Sequence, residues 1–220
     1  MKRVIKKVIS LIIRLWSYLY TYHLSLWLDR KRNWLYTLWI QNFLGEVGEK
    51  SSFRYPLRLQ GGGSRRIRIG ARTGFGAYCV LGSWERYACL NCNGSKETQM
   101  FEPEIIIGND CSFGEFCHIT AINKITIGNG LLTGRFVYIG DNAHGGLSCD
   151  EAEIPPIRRH LKSKGKILIG KNVWIGDKAS ILGGVTIGDN VIIGAGSIVT
   201  HDIPSNTMAM GIPAKVMKIL

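Results

Sequence analysis

At 220 residues the chain suits one sizeable domain with an appendage, and its 45% hydrophobic content excludes global disorder. The formal charge of +12 is uneven: residues 1–32 hold eight Lys or Arg against Asp29 alone, a net +7 that asks for a polyanionic partner. The six cysteines do not read as a disulfide framework, and Cys89 and Cys92 form a lone C-x-x-C without the second pair a zinc site needs, so a reducing compartment is expected.

The first predicted element is helical. Val8 to Leu28 is apolar and free of Pro and Gly, and a second short helix is expected over Trp34 to Leu44. No small-residue cleavage site marks a signal peptide, and Arg14 and His23 inside the stretch weigh against a spanning helix. A basic start, an apolar body and five aromatics between Trp16 and Trp27 suit a helix lying in an anionic membrane surface, with residues 1–32 as the contact. Packing on the following domain or on a partner subunit is the plainer alternative. Positive charge set among Leu, Ile and Trp favours lipid over nucleic acid. Residues 1–44 therefore stand apart as a helical, membrane-associating segment.

From Ile69 the pattern changes to a six-residue beat of an aliphatic residue, usually Gly, two polar positions, a small or β-branched residue and a variable one. It starts at Ile69, Phe75, Leu81, Ile107, Phe113, Ile119, Ile127, Thr133, Ile139, Ile169, Ile175, Ile181, Ile187, Ile193 and Val199, and twelve of these fifteen precede Gly. Such a period predicts an all-β parallel β-helix. Three hexads close one triangular coil, so five coils are expected, with residues 45–68 as an irregular lead-in toward a sixth. The small fifth place of the hexad accommodates Cys79, Cys111 and Cys117 as buried thiols. The domain is placed at 45–204, followed by a basic tail at 205–220. Insertions of about 20, 2 and 24 residues interrupt the beat, each after the third hexad of a coil. They should therefore leave the triangle at one corner and stack along one edge, where function is expected.

The longest insertion opens at Asp141-Asn142-Ala143-His144. Histidine at the mouth of a loop is a natural general base, and Arg158, Arg159, Lys162, Lys164 and Lys166 populate the same loop. Asp141 or a backbone carbonyl could orient the imidazole. Asn172-Val-Trp174-Ile-Gly176 follows on the next coil. His118 ends the second hexad of its coil and His144 the third, so the two are expected at different corners, meeting only across a subunit interface. His23, His160 and His201 lack metal-ligand spacing, and no metal is expected.

The runs Lys171-Asn-Val-Trp-Ile-Gly176, Gly184-Val-Thr-Ile-Gly188 and Ile193-Gly-Ala-Gly-Ser-Ile-Val-Thr200, and the ending through Asp202-Ile-Pro204 and Gly211-Ile-Pro-Ala-Lys215-Val-Met-Lys218, resemble the hexapeptide-repeat acyltransferases. The closest branch is that of the galactoside and maltose O-acetyltransferases and the surface-polysaccharide O-acetyltransferases. The resemblance covers residues 65–220 and implies a left-handed β-helix, a homotrimer, and acetyl-coenzyme A in a cleft between subunits. It puts the catalytic base on His144, an indole near coenzyme and acceptor on Trp174, and coenzyme contacts on Gly176, Ala195, Thr200, Lys215 and Lys218. His201 stands where relatives place a lysine. The asparagine that relatives carry before the histidine is absent, and its role is expected to pass to His118 or Glu115, with Asn142 in support. No Ser or Cys stands in a nucleophile motif, so direct transfer is expected, with a backbone N–H near Gly176 stabilising the oxyanion. The expected function is O-acetylation of a sugar hydroxyl of a surface polysaccharide or lipid-linked glycan precursor, at the cytoplasmic face of the inner membrane. N-acetylation of an amino sugar or antibiotic is the alternative enzymatic reading, and a β-helix scaffold the non-enzymatic one.

Overall fold

The structure, a computed structural model, describes residues 2–90, 95–145, 151 and 154–219. Two helices come first, α1 (Lys2–Leu19) and α2 (Tyr22–Ile40), and a 3-10 turn (Gln41–Phe43) follows. The break falls at Tyr20 and Thr21, not beyond Leu28 as the hydrophobic pattern suggested. Thr21 caps α2, its hydroxyl accepting from the Leu24 amide at 3.2 Å, and this ends the continuous run. No residue of α1 is buried. Its aliphatic residues, with Trp16, share one side of the helix, and Lys2, Arg3, Lys6, Lys7 and Arg14 share the other. Among the described residues no helix is long and apolar enough to cross a membrane.

The rest of the chain winds through three parallel sheets, one strand per face per coil. The first face runs from Glu46–Val47 through Ile67–Ile69, Glu104–Ile107, Lys124–Ile127 and Ile167–Ile169 to Thr186–Ile187. The second runs from Ser52–Phe53 to Ile192–Ile193, and the third from Arg58–Gln60 to Ile198–Val199. Each face therefore has six rungs before the C-terminal hairpin. The predicted hexad starts stack in register: Ile69, Ile107, Ile127, Ile169 and Ile187 pair in succession, as do Leu81, Ile119, Ile139, Ile181 and Val199. All fifteen starts are at most 4% exposed, so they form one continuous core.

The Gly after the aliphatic residue has a physical cause. At Gly70, Gly134 and Gly170 an added Cβ would collide with the carboxyl or amide oxygen of Asn109, Asp177 and Asp189 on the next coil. Those oxygens accept the amides of Ala71, Arg135 and Lys171 at 2.6 to 2.8 Å, so the corner is closed by an Asn or Asp side chain lying where a Cβ would sit.

One region differs from expectation. Residues 45–68 contain a full first coil, with Val47, Phe53 and Leu59 extending the beat upstream. Only Val47 precedes Gly, so the repeat was masked there. The basic tail, over residues 205–219, is a hairpin. Thr207–Gly211 joins the second face, with Ala209 paired to Ile193 and buried, and Ala214–Ile219 folds back on it antiparallel.

α2 closes the upper end of the solenoid. Ile40 and Leu44 are 2% exposed over the first coil. The edge strand there finds its partners in helix side chains: Phe53 N donates to Thr37 Oγ1 at 3.0 Å, Tyr55 N to Asn33 Oδ1 at 3.0 Å, and Leu57 N to Tyr36 Oη at 3.0 Å.

Cys79, Cys111 and Cys117 are buried and unpaired, and burial pushes the Cys111 thiol up. Cys89 is also buried, whereas Cys92 lies outside the described residues.

Phe53, Phe75 and Phe113 stack inside the second face at 5.3 and 4.5 Å between centroids, while Tyr78, Phe116 and Phe136 stack outside at 4.9 and 4.7 Å. Phe75→Ala should cost about 3–5 kcal/mol. Phe116→Ala should cost about 1 kcal/mol, because its ring already meets water. Denaturant titration of the two variants measures the contrast.

Candidate active site

All three insertions leave at the corner between the third and first faces, as the phase of the beat required. The first forms a hairpin of Arg86–Leu90 with Lys96–Met100. The second is the tight corner at Ile122 and Asn123. The third opens with Asn142–His144 pairing antiparallel to Leu161–Ser163. The two long insertions are clasped together. Gln99 Oε1 accepts from Leu161 N at 2.7 Å, and Gln99 Nε2 donates to Leu161 O at 3.2 Å.

Between this clasp and the third face lies a pocket of about 230 Å³ lined by Gln60, Trp84, Tyr87, His118, Thr120, Tyr138, Asn142, His144 and Leu161. His118 and His144 thus share a pocket within one chain, contrary to the corner argument. His118 precedes the inward Ile119 on a strand, so it faces outward from the third face and not at a corner. The Asn142–His144 strand turns back over that same face through its pairing with Leu161–Ser163.

The imidazole of His144 is held by Tyr87. The Tyr87 hydroxyl lies 3.2 Å from His144 Nδ1, and the rings meet edge to face at 5.5 Å. The same hydroxyl donates its single proton to Ile157 O at 2.6 Å. Toward Nδ1 it can then only accept, which assigns the hydrogen to Nδ1 and leaves the Nε2 lone pair free. Burial holds the Tyr87 phenol above its ordinary value, which keeps that donor proton in place.

Asp141, expected as an orienting partner, is engaged elsewhere. It is 1% exposed, and its two oxygens accept from the amides of Ile122 and Asn123 at 2.9 Å each. Burial pushes its carboxyl up while these amides oppose the rise. Its bonds close the two-residue insertion beneath the pocket. Asn142 Nδ2 donates to Thr120 O at 3.2 Å, and Trp84 Nε1 to Thr120 Oγ1 at 3.2 Å, which fixes the pocket floor.

Other expected site residues lie apart from His144 in this chain. Glu115 lines a separate open depression with Arg54 and Arg135 beside the second face, since it precedes the corner that His118 follows. Trp174 is 52% exposed on the second face. Gly176 and Ala195 stack at the next corner, where the Gly176 amide donates to Ile193 O at 2.8 Å and is spent as an oxyanion donor. Thr200 and His201 are exposed at the third–first corner, 2.8 Å apart between Oγ1 and Nδ1. Lys215 and Lys218 are exposed on the terminal hairpin, and neither enters an ion pair among the described residues.

Tyr87, Trp84, Tyr138 and Gln60 were absent from the sequence reading of the site. The first two stand in an insertion without the beat, and Gln60 lies in the coil the beat did not reveal.

Residues 166–201 match the family model described as bacterial transferase hexapeptide (six repeats). WbbJ of Escherichia coli K12, named for lipopolysaccharide biosynthesis O-acetyl transfer, is 36% identical over 52% of this chain and 60% of its own length. Galactoside O-acetyltransferase of the same strain is 41% identical over 43% of each chain. The chain thus spans less than two thirds of the length of these curated relatives. Among solved structures, galactoside acetyltransferase in complex with coenzyme A has TM-score 0.52 at 26% identity, covering 82% of this chain and 67% of that one. AntD, an N-acyltransferase from Bacillus cereus crystallised with dTDP and 3-hydroxybutyryl-CoA, has TM-score 0.62 at 18% identity, covering 82% and 85%. The fold they share with this chain is the left-handed β-helix.

Burial pushes the His118 imidazole below its ordinary value. The unfolded chain then binds more protons below about pH 6.5, so stability should fall as pH drops through that range. His118→Gln should shrink the difference in urea midpoint between about pH 7.5 and pH 5.5.

Proposed function

Because the chain carries the hexapeptide repeat of the bacterial transferases, wound as a left-handed β-helix, we propose that it moves an acetyl group from acetyl-coenzyme A to a sugar hydroxyl. The observation that carries this reading is the Tyr87–His144 contact, which leaves Nε2 of His144 free at a small pocket. In the proposed step Nε2 takes the hydroxyl proton as the acceptor oxygen attacks the thioester carbonyl. The C–S bond then breaks, and the coenzyme sulfur receives the proton from Nε2. No covalent acyl-enzyme forms.

The acceptor sugar would lie among Gln60, Thr120, Tyr138 and Asn142. Acetyl-coenzyme A supplies the activated acyl group, and its phosphates suit the exposed Lys215 and Lys218, with Thr200 and His201 as further polar contacts. Trp174, Gly176 and Ala195 lie on a different face from His144, so a homotrimer that sets the second face of one subunit against the His144 edge of the next would complete the cleft. The acceptor class is a surface polysaccharide or its lipid-linked precursor. α1 suits the cytoplasmic face of the inner membrane, with its apolar side in the headgroup region and its five cations against anionic lipid.

Thiol release from acetyl-coenzyme A with a panel of sugars, amino sugars included, tests the reading. His144→Ala should lower kcat by about 10²–10⁴-fold. Tyr87→Phe, which removes the hydroxyl that meets both His144 Nδ1 and Ile157 O, should lower kcat about 5- to 10-fold at unchanged KM for the coenzyme. No release with any acceptor would leave a non-catalytic β-helix, and release with amines alone would make the protein an N-acetyltransferase.

Removal of residues 1–19 should abolish sedimentation with phosphatidylglycerol vesicles and leave transfer to a soluble sugar intact. Undiminished sedimentation would remove α1 as the anchor.

A further inference from the structure

A second recess lies on the same side of the solenoid as the His144 pocket, one coil nearer the helices, and the proposed chemistry does not use it. Tyr36, Trp39 and Phe43 face Tyr55, Pro56 and Leu59 across a groove of about 450 Å³. Trp39, Tyr55 and Phe43 are 57%, 49% and 44% exposed, a large aromatic surface left to solvent at one place. The Tyr36 hydroxyl is spent on the Leu57 backbone, donating to its carbonyl at 2.6 Å, so this wall presents a ring.

The groove runs toward the pocket. Leu59 lines the groove and the next residue, Gln60, lines the His144 pocket. Between Leu57 of the groove and Gln60 of the pocket stands Arg58, exposed, its side chain without a hydrogen bond or ion pair among the described residues. Its outward row continues through Val80 and His118 to Tyr138. At about 4.8 Å per rung, Arg58 stands roughly 10 Å above His118 and 15 Å above Tyr138. That separation matches one hexose with its anomeric phosphate. An apolar groove, an exposed cation and a polar pocket therefore follow one another in the order tail, phosphate, sugar.

Resting on the acetyl-transfer reading, we infer that the acceptor is a polyprenyl-phosphate-linked sugar whose hydrocarbon tail lies in this groove and whose phosphate meets Arg58. The groove suits a hydrocarbon, being lined mainly by rings and aliphatic groups, with Ser64, the Trp39 indole N–H and the Tyr55 hydroxyl as its polar points. The cations and unpartnered apolar side of α1 favour a membrane as the source of the ligand.

The full chain would be photolabelled in mixed phosphatidylethanolamine and phosphatidylglycerol vesicles with a polyprenyl phosphate bearing a diazirine on its tail. The crosslinks should map to residues 36–43 and 55–59 and be competed by unlabelled polyprenyl phosphate. Trp39→Glu, Phe43→Glu and Arg58→Glu should each cut labelling at least tenfold at an unchanged melting temperature. They should also lower the ratio of turnover on the lipid-linked sugar to turnover on its methyl glycoside at least tenfold. Labelling confined to α1, or competed by nucleotide-diphosphate sugars, would overturn the inference. Groove labelling without acetyl transfer to any acceptor would overturn the acetyl-transfer reading alone.

Discussion

Parallel stacking of short strands, each repeating its neighbour at about 4.8 Å along the axis, is the constraint from which the rest follows. A residue pointing inward on one coil must be matched by an inward residue on the next, so Ile, Leu and Val recur at every sixth place and fill a core without a separate inner layer. The corners must turn sharply at the same height on each coil. Asn and Asp side chains close them by accepting an amide from the neighbouring coil, and Gly gives those side chains room. The periodicity is a consequence of this lattice of equal steps.

Because the lattice does not bend, an insertion can only leave it at a corner and lie against its outside. Two long insertions at one corner are bound to touch if they rise a few rungs apart, and here they clasp through Gln99 and Leu161. His144 comes from one insertion and Tyr87 from the other. The tautomer of the imidazole is thus set by two segments more than fifty residues apart, each anchored to the same rigid edge. Asp141 serves the lattice, holding the two-residue corner of one coil from the start of the next insertion.

How far residues disclose themselves depends on whether the lattice governs them. Ile69 to Val199 announced both their inward direction and their register, since one backbone step repeats. Val47, Phe53 and Leu59 obey the same spacing but lack the glycines, and only their pairing with Ile69, Phe75 and Leu81 reveals them. His144 was legible as the residue at a loop mouth. Tyr87 was not, because its role depends on how two irregular segments meet. A turn signal existed in Asn93-Gly94, but Lys96–Met100 after it carries no strand pattern to pair with Arg86–Leu90. The misplacement of His118 came from treating each hexad as ending in a corner, although its last position already belongs to the next face.

A solenoid of open strands has two sticky ends, each able to accept another strand and grow into a fibre. Here Tyr36, Thr37 and Asn33 occupy the amides of the first rung, and the Thr207–Gly211 and Ala214–Ile219 hairpin covers the last rung of the second face. Axial growth is blocked on that face at both ends. The caps that fix the height of the column thus leave its flanks, not its second-face ends, as the surface another copy could meet.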